Sequence, residues 1–364
     1  MLTKYDEFLC HQIVSTFDHV ETSAREWTER TWLSAHDVSG KLQLVTSIAL
    51  YPNRNIIDTY GTVAVEGKTQ YAVRASRELQ PERDQTKVGP FSYEVIEPLK
   101  RLRTALADNE HGLSYEIDFE AAFPPHEEMP QFSRVRGRVE ENIARYVQMG
   151  KPSGWIKVAG QTYHIDQDNC RAERDHSWGI RHGGGVPETG VQPGEIPTGY
   201  LFNFVALQFE KWSATYHLRE GWDGTPLNFG GSICYPYESQ KEELKLASVE
   251  HEYQLRSDMR QMKSGRVVLN AVDGSQKEVS FRPISICYLK ASGMFGYRGF
   301  THGLWMGPYY IDGFKLDITD PKVIGEVSFI DDLMCEVRCG NEIGYGINEL
   351  IILGKYPKYG YQGY

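Results

Sequence analysis

The sequence predicts an all-β protein of antiparallel strands, arranged as barrel or sandwich domains with few short helices. Runs of about ten residues rich in Val, Ile, Thr, Tyr and Phe recur from end to end, separated by Gly, Asn or Asp, the pattern expected of many short strands. One hairpin can be read whole: "GRVVLNAV", then Asp273 and Gly274, then "KEVSFRPISI", with Asp-Gly expected to supply the positive φ angles of a tight turn. Helical periodicity is nearly absent, the third observation.

In chain order, "TKYDEFLCHQI" predicts a short helix near the start. The stretch 42–76, "LQLVTSIALYPNRNIIDTYGTVAVEGKTQYAVRAS", predicts strands broken at Asn and Gly. "SRVRGRVEENIARYV" at 133–147 is the other helical candidate, although Gly137 and its β-branched residues interrupt the period. "YVQMGKPSGWIKVAGQTYHID" at 146–166 returns to strand. A Gly- and Pro-rich run at 183–199 cannot lie in a central sheet and reads as an exposed connector. From "YLFNFVALQFEKWSATYHLREGW" a second β-rich stretch runs to about residue 352, and the tail "KYPKYGYQGY" is either an exposed end or a strap over the other domain. With 364 residues the chain divides on the domain-size prior into a first domain at 1–182, the connector and a second domain at 200–364.

A net charge of −10 with 40% hydrophobic residues describes a folded acidic protein without the basic footprint of a nucleic-acid binder. The N-terminus has no continuous apolar core of a signal peptide and no run reaches membrane-spanning length, so no membrane span and a cytoplasmic location are expected. The six cysteines are scattered and read as free, packed thiols. Aromatic content, 22 Tyr, 15 Phe and 7 Trp, suits a pocket for a small apolar or aromatic substrate. A homodimer is left open.

Polar chemistry concentrates in "RDHSWGIRHGGG" at 174–185. On an extended strand Arg174, His176, Trp178 and Ile180 share one face, and Asp175, Ser177, Gly179 and Arg181 the other. Either the His176 and Trp178 face borders a cavity where desolvation tunes an ionisable group, or the cluster bolts two domains together through ion pairs.

The string "DNCRAERDHSWGIR", with "YPNRNIIDTYGTVAVEG" before it and "NEIGYGINEL" after it, resembles the carotenoid 1,2-hydratase (hydroxyneurosporene synthase) and AttH-like superfamily over nearly the whole chain. The resemblance implies two lipocalin-like (calycin) β-domains packed side by side, and hydratase, isomerase or pericyclase chemistry on apolar molecules without metal or organic cofactor. It matches Asp175 and Trp178 to the family string and implies that Asp175 protonates a carbon–carbon double bond.

Other constellations could meet this motif. "KWSATYHLREGW" places Trp212 and Tyr216 on one strand face, and "YRGFTHGLWMGPYY" gathers Tyr297, His302, Trp305 and Tyr309 among glycines. Glu349, inside the apolar run "INELIILG", is expected to face water on an edge, the alternative being burial near Arg174 or Arg181 that ties the chain's end to its midpoint. His164 and Asp166 could join His176 around a metal, but no second-shell pattern supports it and no metal site is expected. The reading is a cofactor-independent lyase (hydration, dehydration or retro-aldol loss of a small aldehyde) or isomerase acting on a mid-sized terpenoid or lignin-derived phenolic. Asp175 or His176 serves as acid and His302 or Tyr216 as base, with substrate contacts from Trp178, Arg181, Trp212, Tyr297, Trp305 and Tyr309. The alternative is a carrier that binds an apolar ligand and does no chemistry.

Overall fold

The computed structural model describes residues 1–81, 83–181 and 198–363; of the expected connector, 183–197 lies outside them. Two large antiparallel sheets account for most of the chain. Ser213–Gly221, Pro226–Cys234, Leu244–Leu255, Met262–Ala271, Gln276–Tyr288 and Asp331–Cys339 follow one another in the second sheet between Gly199–Gln208 and Glu342–Tyr356. Those two end strands also pair with each other, from Gly199↔Gly354 to Gln208↔Tyr345, so the sheet curls into a barrel, its ladder shortest between Pro226–Cys234 and Leu244–Leu255, at Ser232↔Lys245 and Ile233↔Leu244. The hairpin read from the sequence is present, yet only Gly274 takes a positive φ (85°), while the Asp273 carboxylate accepts from Ser275 N at 2.9 Å.

The first sheet is open and curls over its own core. Its central strands are Leu42–Tyr51, Trp27–Asp37, Cys170–Ile180 and Arg138–Val158. Leu42–Tyr51 is buried at every position, which the pleat explains: Leu42, Leu44, Ile48 and Leu50 fill the first core, while Val45 belongs to a cluster shared with the second sheet. Gln43 on that outer face donates to Asp332 O at 3.1 Å, and Trp32 packs edge-on against Phe204 at 6.1 Å.

The helix expected at 133–147 is instead a hairpin between Gln131–Val135 and Arg138–Val158. Arg136 and Gly137 both take positive φ, 49° and 80°, making the two-residue loop whose twist matches flanking strands. The helix expected near the start shrinks to a 3-10 turn, Lys4–Glu7, capped by Thr3. The tail straps its own barrel: Tyr361–Gln362 pairs back on Glu342–Tyr356, and Tyr359 OH lies 2.6 Å from His251 Nδ1.

One strand crosses between the halves. Tyr309–Asp317 pairs not with the barrel but with Thr69–Glu78, forming an edge of the first sheet. Arg74 fastens it from within, its Nε 2.9 Å from Asp312 Oδ1 and its Nη1 2.8 Å from Tyr297 O. Among the described residues no helix is long and apolar enough to cross a membrane.

Candidate active site

Alternation along Cys170–Ile180 sends the motif's side chains to two different places. His176 and Trp178 line a chamber of about 830 Å³ in the first sheet, within the roughly 300–1,000 Å³ typical of small-molecule sites. Asp175 and Arg181 point the opposite way, into a cavity of about 130 Å³ at the seam between the sheets. The motif's glycine is required: Gly179 has φ +126°, and a Cβ there would lie 1.9 Å from Asn142 O.

In the chamber the strand register assembles a polar relay. Tyr146 lies directly opposite His176, and Glu29 opposite Trp178. His176 Nε2 is 3.0 Å from Glu29 Oε1, and Tyr146 OH is 3.4 Å from His176 Nδ1. A carboxylate only accepts, so Glu29 holds the proton on Nε2 and leaves Nδ1 to accept from Tyr146. Arg174 Nη1 donates to Tyr146 OH at 3.2 Å and its guanidinium lies 5.2 Å from that ring, while Gln148 Oε1 accepts from Arg174 Nε at 3.0 Å. Burial pushes the neighbouring Tyr93 phenol up to about 12, with Arg174 opposing. A recess of about 150 Å³ between Val95 and Arg101 adjoins the relay.

Rings and aliphatic side chains, among them Trp27, Tyr93, Ile48 and Leu50 from the sheet, form much of the remaining lining, with Arg30 and Arg83 as its cations. Its remaining wall is the segment before the first strand, which contributes Tyr5, Ile13, Phe17 and Val20. That segment is pinned at its base, where Asn53 Nδ2 donates to Thr22 O at 2.7 Å and Ala24 O at 2.8 Å, and at its start by a Lys4–Asp84 ion pair.

The seam has a different character. Arg145 Nε lies 3.7 Å from Asp175 Oδ2 and its Nη1 3.5 Å from Glu128 Oε2. Burial, with the nearby charges of Arg30 and Arg145, pushes the Arg181 guanidinium well below its ordinary value. Glu349, expected on an exposed edge, lines this cavity instead: the register Leu333↔Asn348 sets it opposite Asp332. Two carboxyls meeting in a buried site repel each other's charge and do not both ionise, so they share a proton. Burial and then the Glu349 charge raise the Asp332 carboxyl well above its ordinary 3.8, and Trp32 Nε1 donates to its Oδ2 at 2.9 Å. Burial likewise raises Glu349, with the Asp332 hydrogen bond opposing.

The seam makes stability depend on pH. Burial, with a smaller push from the Glu349 charge, lifts Asp331 from 3.8 to about 6 against hydrogen bonds from Gln261, Phe329 N and Ser328. A carboxyl whose folded value is raised contributes stability in full below its unfolded value and loses it as pH climbs to the folded value. The protein is therefore expected to weaken from about pH 4 upward through pH 6 and beyond. Asp332→Asn, which still accepts from Trp32, should flatten that slope and be more stable than wild type at pH 8. Urea midpoints at pH 5 and pH 8 check this, and equal slopes for the two proteins would count against the shared proton.

The other sequence candidates are dispersed. His302 is buried beside the Asp58 carboxylate, Nδ1 to Oδ1 3.2 Å, and lines neither cavity. Tyr216 fills the second barrel, where its OH donates to Asn203 Oδ1 at 2.7 Å and burial raises its phenol well above 10. Trp212 stacks on Phe209 at 4.1 Å and donates to Glu342 at 3.1 Å. Tyr297 OH donates to Glu326 at 3.2 Å. Trp305 and Tyr309 are half exposed, at 51% and 49%. His164 is exposed, and among the described residues no three His, Cys, Asp or Glu side chains converge as metal ligands would. Glu29, Tyr146 and Arg174's role toward Tyr146 escaped the sequence reading; the alternation of Tyr146 and Gln148 in "ARYVQM" was the signal available for the second.

The chain has an AttH-like fold of two packed β units. Residues 2–362 match the model of the family described as "Family of unknown function (DUF8625)", and the chain belongs to that family. A crystal structure of a putative AttH from Nitrosomonas europaea has a TM-score of 0.54 at 12% identity, covering 92% of this chain and 94% of that one. CghA with Sch210972 gives 0.51 at 11% identity, covering 90% and 88%. Kievitone hydratase from Nectria haematococca gives 0.45 at 11% identity, covering 88% of each chain. The likenesses to the putative AttH and to CghA with Sch210972 bear out the fold expected from the sequence. No curated protein matches the sequence.

Proposed function

We propose that the protein is a cofactor-independent lyase or isomerase that moves protons on a mid-sized apolar substrate in the chamber of the first sheet. The observation that carries this reading is the Glu29–His176–Tyr146 relay on the wall of a ring-lined space of about 830 Å³. Tyr146 sits between a proton acceptor, His176 Nδ1, and a cation, Arg174. It can give a proton to a leaving hydroxyl or an alkene; His176 then takes the proton that leaves the neighbouring carbon, Glu29 stabilises the imidazolium so formed, and that imidazolium reprotonates Tyr146. Cationic character developing on substrate carbon would face the rings of Trp27 and Trp178, which also exclude water. Loss of water then balances: one proton goes to the departing hydroxyl and one leaves the neighbouring carbon for the relay.

Asp175, the acid implied by resemblance, opens on about 130 Å³. That is room for a few waters and too little for a substrate of this size, so the reading puts the chemistry at His176. A carrier would need the same apolar chamber but not the relay.

The test is incubation of the full chain in deuterium oxide with pools of phenolic and terpenoid alkenes, alcohols and ethers, followed by mass spectrometry. The expected result is a compound that loses water, or one that gains water or shifts its double bond with solvent deuterium on carbon. An apolar ligand that binds near one per chain and is recovered unchanged and undeuterated would establish the carrier instead.

A further inference from the structure

Arg83 stands in the loop after Thr69–Glu78, and its side chain lines the chamber. Its Nη2 is sealed from solvent and makes no hydrogen bond. Burial lowers the guanidinium from its ordinary value, and the charges of Glu29 and Asp18 offset this only in part. Glu29 is already committed to His176 at 3.0 Å, and Asp18 to Thr16 Oγ1 at 2.6 Å.

The loop is built rather than loose. Arg77 donates from Nε to Lys87 O at 2.6 Å and from Nη1 to Leu79 O at 3.1 Å, and also reaches Gln85 O, spanning the loop that carries Arg83. The next residue, Asp84, pairs with Lys4 of the covering segment. A cationic donor left unsatisfied in an apolar wall is unfavourable by the cost of desolvating it, and the group that relieves it most is an oxyanion.

We propose that Arg83 is the specificity-determining residue of the chamber and that the substrate is an apolar body bearing an oxyanion, such as a carboxylate or phenolate. The inference rests on the functional reading above and adds the substrate's charge to it. The apolar body lies against Trp27 and Trp178, the oxyanion takes the Arg83 guanidinium where the side chain lines the chamber, and the relay acts on a carbon or hydroxyl of the same molecule. In a chain of net charge −10 an acidic ligand is repelled at long range, so a local cation is needed to hold it.

Two fluorescent probes test this on the full chain: 8-anilinonaphthalene-1-sulfonate, an anion on an aromatic body, and its uncharged relative N-phenyl-1-naphthylamine. In wild type the two should displace each other, placing both in one site. Arg83→Gln should weaken the anionic probe by at least about tenfold and the neutral one by less than about twofold, with Arg83→Lys restoring part of the loss. The retained neutral probe shows that the variant is folded. If both probes weaken equally, or neither changes, Arg83 does not select charge and this inference falls while the chamber stands. If neither probe binds wild type, or the two do not compete, the chamber holds no such body and the functional reading falls with it.

Discussion

His176→Asn should slow conversion of any compound the wild type transforms by about 10²- to 10⁴-fold, the usual worth of a positioned acid–base group, with little change in melting temperature. The side chains of His176 and Glu29 remain 28% and 36% exposed, and a contact so accessible contributes about 0–1 kcal/mol to stability. Tyr146→Phe should lose a comparable factor, because it removes the hydroxyl between His176 and Arg174. Glu29→Gln should lose less, since an amide still accepts from Nε2 but no longer stabilises the imidazolium. Asp175→Asn is the control. Its carboxylate is 7% exposed beside Arg145, so its loss should appear as about 1–3 kcal/mol of stability, with turnover of the folded protein changed less than about tenfold. Turnover abolished in Asp175→Asn at unchanged melting temperature, with His176→Asn active, would move the chemistry to the seam.

The largest stability effect is expected at Arg74. Its side chain is fully buried, forks onto Asp312, donates to Tyr297 O, and lies 4.8 Å and 5.0 Å from the Phe300 and Phe314 rings. Arg74→Ala empties a buried site, strands Tyr297 O and leaves the partly exposed Asp312 without its cation, at a cost of about 3 kcal/mol. Arg74→Met with Asp312→Asn leaves no charge stranded and should recover more than half of that. Urea unfolding followed by circular dichroism measures both. A loss below about 1 kcal/mol in Arg74→Ala would show that the crossing strand is held by its ladder alone.

Local chemistry carried much of this into the sequence. The alternation in "RDHSWGIR" placed His176 and Trp178 on one face and Asp175 and Arg181 on the other, and the two faces do open on different cavities. What stayed hidden depends on which strand lies beside which. Nothing local to Tyr146 or Glu29 says that each will flank His176, because register is decided by turns and burial elsewhere. Glu349 looked like an edge carboxylate until Asp332 was set opposite it across the ladder. The hairpin at 133–147 was mistaken for helix because its deciding feature is two positive φ angles at Arg136 and Gly137, and arginine does not advertise that conformation.

The borrowed edge strand has a consequence for how this molecule comes into being. Thr69–Glu78 leaves the ribosome more than two hundred residues before its partner Tyr309–Asp317, so throughout that interval the growing chain carries a bare β edge, the kind of surface that templates association with other chains. Completion of the first sheet is thus a late event in biosynthesis, and overexpression at high temperature should favour inclusion bodies over native product.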